Sequence, residues 1–141
     1  MSPKYSGTCL CEDEGGIRFT ISAEPIDPVC TCYCTHCSKG AGGIGQVMVA
    51  FPQDSIKIES GEDRITTFTF EATDSGKPKD KMFCKVCGVT LWTAPDHWKK
   101  LRQLLVRTPV IDGRLDWKPT VELTSNWRAK WTSLIAGAAQ Q

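Results

Sequence analysis

The stretch Cys30-Thr-Cys32-Tyr33-Cys34-Thr-His36-Cys37 decides how the rest of the chain is read. Its last three cysteines are spaced C-x-C-x-x-C, and Cys30 stands just upstream. A thiolate is both a soft metal ligand and a nucleophile, so this density can mean metal, redox chemistry or disulfides. Two further groups narrow the choice. Cys9 and Cys11 form a C-x-C near the N-terminus, and Cys84 and Cys87 form a C-x-x-C far downstream. Cysteines one or two residues apart rarely bridge each other but readily bite a single ion. Metal is the reading that uses all three groups.

Size and composition set the frame. The chain has 141 residues, with 40% hydrophobic and 23% charged, which points to one domain over residues 1–141. A domain of that size buries roughly two-thirds of the surface its unfolded chain exposes. No apolar run approaches the ~20 residues of a membrane span, so a membrane is excluded as a partner. Met1-Ser-Pro-Lys-Tyr5 lacks the apolar core of a signal peptide, and the expected location is the cytoplasm. In a reducing compartment eight cysteines are better explained by metal than by disulfides. With seven thiolates and two bound zinc ions the formal charge falls from +1 to about −2. That is no basic footprint, so nucleic acid is excluded as well.

The remaining signals are mainly β. Ile17–Ile21 alternates apolar and polar residues, as a half-buried strand does. Residues 47–51, 56–58, 65–70, 89–93 and 104–106 are rich in β-branched, aromatic and aliphatic types and read as further strands. Cys84-Lys-Val-Cys87-Gly88 lies between two of them and reads as a zinc knuckle, the glycine relieving crowding where the backbone folds round an ion. A thioredoxin-type redox pair is the rival, but such a pair opens a helix and a strand pattern follows here. The glycines of Lys39-Gly40-Ala-Gly42-Gly43-Ile-Gly45 predict a loop able to approach a ligand closely. Asp96–Leu101 predicts a short helix. Trp127, Trp131, Leu134 and Ile135 recur at helical spacing behind Ser125, predicting a short C-terminal helix docked by its tryptophans, with residues 136–141 fraying.

Counting ligands divides the cysteines by role. Cys9, Cys11, Cys84 and Cys87 make a four-thiolate set, which closes a structural zinc site. Cys32, Cys34 and Cys37 make a three-thiolate set that leaves one position for water, an external thiol or Cys30.

At this point the chain resembles a known family. The succession Gly7-x-Cys9-x-Cys11, Cys32-x-Cys34-x-x-Cys37-Ser38-Lys39-x-x-Gly42, Phe83-Cys84-x-x-Cys87-Gly88-x-x-Leu91 and Trp127-Arg128-x-x-Trp131 is similar to the glutathione-dependent formaldehyde-activating enzymes, which also include centromere protein V. The likeness runs from about residue 5 to about residue 132. It implies a tent-like fold of small coiled antiparallel sheets around a structural zinc. It also implies a thiol-accessible catalytic zinc on the middle trio, so two zinc ions with glutathione as co-substrate. Tyr33 stands where many members carry histidine, the histidine here is His36, Ser38-Lys39 replaces an Arg-Lys pair, and Cys30 is additional. The expected activity is that of a carbon–sulfur lyase acting on a thiol adduct of an aldehyde or other small electrophile. His36 would carry the proton, since histidine titrates near neutrality, and Tyr33 would orient the adduct. Ser38, Lys39 and the backbone of Gly40, Gly42 and Gly43 would receive a carboxylate. The partners are then a small-molecule thiol and an electrophile, with a homodimer left open. The alternative is a non-catalytic zinc module for a protein partner, with Cys30 or another side chain closing the middle site.

Overall fold

A computed structural model describes residues 2–26 and 28–141; Met1 and Asp27 lie outside the described residues. Among the described residues, eleven strands form two sheets. The smaller takes β1 (Tyr5–Thr8), β2 (Arg18–Ile21) and β5 (Ile56–Ser60), with β2 in the middle. The larger takes β3 (Cys30–Cys32), β4 (Gln46–Pro52), β6 (Ile65–Phe70), β7 (Lys79–Cys84), β8 (Thr90–Pro95), β9 (Gln103–Arg107), β10 (Val121–Leu123) and β11 (Ala139–Gln140). Its order is β11-β10-β3-β4-β9-β8-β7-β6. Two short helices, α1 (Thr35–Ala41) and α2 (Asp96–Lys100), interrupt it. The mainly β expectation holds, as does the helix at 96–100. Pairing is antiparallel except along β3–β10 and β10–β11, which are parallel.

The larger sheet has an apolar side and a chemical side, and β4 explains why. Its run Gln46-Val-Met-Val-Ala-Phe-Pro52 is buried on both faces, so it reads as continuous rather than alternating. Val49 and Phe51, paired with Val106 and Leu104 of β9, join Ile17, Phe19 and Ile21 in the main core. Phe19 meets Trp92 edge to face with centroids 5.3 Å apart, locking the two sheets together. The intervening residues Met48 and Ala50, with Leu105, form a second apolar cluster with Cys32 and Cys37. Side chains two apart on a strand share a face, so Gln46, Met48, Cys30, Cys32 and Arg107 all lie on this second side.

Gly7 shows how closely the sheets meet. It pairs with Phe19 and bridges to Ile111. A Cβ there would lie 2.3 Å from Phe19 Cζ and 2.4 Å from the Val110 carbonyl oxygen. Gly7→Ala is therefore expected to lower stability by about 2–3 kcal/mol, read as a reduced urea midpoint at unchanged slope.

Two local expectations fail. The glycine-rich stretch is helical as far as Ala41, because Cys34 caps one end and Gly42, at φ 70°, closes the other through bonds to Ser38 and Lys39 carbonyls. Gly40 thus lies inside a helix, and only residues 42–45 remain loop. The C-terminal helix is reduced to one 3-10 turn, Ser125–Trp127. Its tryptophans do not dock: Trp127 is 53% and Trp131 79% exposed. Nor does the end fray, since Ala139–Gln140 pairs with Val121–Glu122 as β11.

Candidate metal centres

The first cluster joins the N-terminus to the turn between β7 and β8. Sulfurs of Cys9, Cys11, Cys84 and Cys87 lie within 4.8 Å of one another, and those of Cys11 and Cys84 are 3.6 Å apart. A tetrahedral ion with metal–sulfur bonds of about 2.3 Å sets its sulfurs roughly 3.8 Å apart, so this set fits one. Backbone amides already point at the sulfurs: Leu10 donates to Cys87 at 3.4 Å, Cys11 and Ile17 to Cys9 at 3.4 and 3.3 Å, and Cys87 to Cys84 at 3.5 Å. Gly88 makes the knuckle possible. At φ 80° it donates to the Cys84 carbonyl at 2.8 Å, a conformation costly for other residues. Burial pushes the Cys11 thiol up to about 12, against the nearby Arg64. At Cys84 burial is outweighed by the amides of Cys87 and Val86, and the thiol falls to about 7. Arg64 is itself held by Asp13 through two bonds of 2.7 and 2.6 Å.

The second cluster is assembled by the start of α1. Cys32 ends β3, Cys34 caps the helix and Cys37 lies in its first turn. The Cys37 amide donates to the Cys34 sulfur at 3.4 Å. All three sulfurs lie within 4.8 Å, and Cys30, half-buried on β3 opposite Met48, stands outside the group. The Cys32 and Cys37 thiols, donating to Cys34, hold it far below the ordinary thiol range; the same contacts push Cys32 and Cys37 up. A divalent ion at the trio would displace its thiol protons. The donor sets suit a metal ion, four sulfurs in one centre and three in the other. No disulfide joins any of the eight cysteines.

A cavity of about 630 Å³ opens onto the trio. Cys32, Cys34 and Cys37 line it together with His36 from α1, Trp98 from α2 and Lys79 from β7. His36 is oriented by Phe70, with ring centroids 4.6 Å apart, and Lys79 lies over the same phenyl ring at 5.3 Å. Tyr33 is elsewhere: it is buried, and its hydroxyl donates to Glu122 at 2.5 Å. It does not line the cavity. Ser38, whose hydroxyl donates to the Tyr33 carbonyl at 3.2 Å, is also off the lining, as are Lys39, Gly40, Gly42 and Gly43.

Register across the sheet supplies what the sequence did not announce. Arg107 is 94% buried behind the trio, given its 6% exposure, with only weak bonds to Thr93 Oγ1, Met48 Sδ and the Leu105 carbonyl at 3.3–3.5 Å. Among the described residues no carboxylate pairs with it. Burial pulls its guanidinium down to about 10, and the Cys37, Cys30, Cys32 and Cys34 thiols oppose that fall. Lys81, on the same side, is lowered by burial and then by repulsion from Arg107 and Lys79. This face of the sheet carries unspent positive charge beside the sulfurs.

The family model described as glutathione-dependent formaldehyde-activating enzyme matches residues 4–127. A Halomonas elongata protein that carries the provisional name glutathione-dependent formaldehyde-activating enzyme is 27% identical over 95 residues, 67% of this chain. The match spans 59% of that relative's length. The crystal structure of a Rhodobacter sphaeroides protein superposes with a TM-score of 0.58 at 17% identity, covering 77% of this chain and 88% of the other, and is alike in fold. No helix among the described residues is long and apolar enough to cross a membrane.

Proposed function

The chain belongs to the glutathione-dependent formaldehyde-activating enzyme family, and on that premise we propose that it forms or cleaves a carbon–sulfur bond in a glutathione-type adduct of an aldehyde or other small electrophile. Cys9, Cys11, Cys84 and Cys87 would hold a structural zinc, and Cys32, Cys34 and Cys37 a second one. The observation that carries the reading is the trio itself: three sulfurs within 4.8 Å, Cys30 outside the group, and an open cavity above them. When bound there, zinc favours the thiolate form of an incoming thiol and has no redox role.

The residues around the trio supply the rest. In the forward direction the thiol proton passes to His36, the sulfur forms a bond to the carbonyl carbon, and the carbonyl electron pair moves to oxygen. His36 then returns the proton to that oxygen, giving a hydroxyalkyl thioether; the reverse sequence cleaves it. Phe70 keeps the imidazole facing the cavity. Charge favours an external thiolate. Three thiolates from the protein and one from the ligand carry four negative charges; a divalent ion offsets two, and Arg107 and Lys79 offset the others. Lys79 also faces the cavity, where a peptide carboxylate can reach it.

Lys79→Met is expected to weaken glutathione binding about tenfold by calorimetry, about 1.4 kcal/mol, with both metal ions retained. The function itself is tested by magnetisation-transfer NMR on glutathione and formaldehyde with the zinc-loaded protein. Exchange between free thiol and hydroxymethyl adduct should accelerate in proportion to protein. No acceleration with any aldehyde, and no bound glutathione, would leave a metal-held module for a protein partner.

A further inference from the structure

Glu122 is fully buried in the middle of β10. A carboxylate in such a place is costly unless several donors surround it. Here they do: Tyr33 donates to Oε1 at 2.5 Å, the Ile135 amide to Oε2 at 3.0 Å, the Gln140 side-chain amide to Oε2, and Arg128 lies 3.5 Å from Oε1. Arg128 also lies over the Tyr33 ring at 5.9 Å and donates to Gln140 Oε1 at 3.0 Å. The backbone repeats the connection, with Tyr33 donating to the Leu123 carbonyl at 3.1 Å and Gln141 to the Glu122 carbonyl at 2.9 Å.

One carboxylate thus joins the residue between two candidate metal ligands to the last fourteen residues of the chain, none of which lines the cavity. The next position adds a second, independent tie. Thr124 adopts φ 54°, ψ 42°, a strained conformation for a β-branched residue, and its hydroxyl lies 3.8 Å from the Cys32 sulfur. Strain is kept where the surroundings impose it, and what they impose here is contact with the trio.

We propose that Glu122 is a positioning residue which, with Tyr33, Arg128 and Gln140, clamps the Cys32–Cys34 loop and makes the C-terminal segment a supporting part of the second metal centre. This rests on the reading that Cys32, Cys34 and Cys37 hold the second ion. Groups that orient ligands from behind alter metal retention by about 10–100-fold when removed. The experiment is zinc release to a chromophoric chelator from the full chain, with Cys34→Ser assigning the phase that belongs to the second ion. Tyr33→Phe, Gln140→Met and Glu122→Gln should each release that ion at least about tenfold faster, leaving the first ion's phase unchanged. If Glu122→Gln fails to fold, the two milder variants decide. Unaltered release of the second ion in them, or equal acceleration of both phases, overturns the clamp. A wild-type protein that holds only one ion overturns the metal reading itself, and the clamp with it.

Discussion

Cys84→Ser is expected to leave no folded protein at 25 °C: a lost far-UV signature, no urea transition and no retained metal. Cys84 is fully buried at the end of β7, and its sulfur touches that of Cys11 across a separation of 73 positions. The cluster it belongs to ties the chain entering β2 to the hairpin of β7 and β8, so an ion closing it would hold both sheets in place. A structural zinc of this class contributes about 10–16 kcal/mol of folding free energy, against a net stability of about 5–15 kcal/mol for a domain. Serine removes one thiolate and leaves a hydroxyl amid buried sulfurs and amide donors. Losing even half of the metal's contribution, about 5–8 kcal/mol, is comparable with the whole net stability of a domain. A Cys84→Ser protein that melts like the wild type would show that the four sulfurs are not a structural centre.

The cysteine groups were legible because a metal knuckle is a local object: C-x-x-C-G and C-x-C turns bring sulfurs together through backbone geometry within a few residues. The strands were legible for the same reason, each carrying its own pattern, as Ile17–Ile21 and Ile65–Phe70 do. The failures are places where caps or distant residues override the local pattern. Four glycines argue against a helix at 39–45, yet the caps at Cys34 and Gly42 impose one up to Ala41. Helical spacing of Trp127, Trp131, Leu134 and Ile135 is real in the sequence, but the Glu122 carboxylate takes the Ile135 amide and Gln140 pairs beside Glu122 as part of β11 instead. Nothing near Glu122 in sequence announces that it is buried. Nothing in the sequence singles out Arg107 or Lys79, and only the register from β4 through β9 to β7 sets them on the side of the sulfurs. Tyr33 was placed at the chemistry by its neighbours in sequence, whereas its buried phenol belongs to the scaffold.

Cys34→Ser is expected to give the opposite outcome from Cys84→Ser: a folded protein with one ion and no thiol-dependent turnover. Cys34 is half-buried and serves as the cap of α1, its sulfur accepting the Cys37 amide. Serine is among the preferred residues at that position, and its hydroxyl accepts the same amide. The local backbone therefore survives, and stability should change by less than about 1 kcal/mol in the metal-free state. What is lost is one of the three sulfurs that lie within 4.8 Å of one another. Two soft ligands cannot hold the ion as three do, so zinc analysis should fall from two ions per chain to one, and adduct exchange should fall at least about 100-fold. The first centre, with all four of its sulfurs intact, should keep its ion through the same dialysis. Retention of both ions with unchanged exchange would place the chemistry away from the trio, and the open cavity above it would then need another occupant.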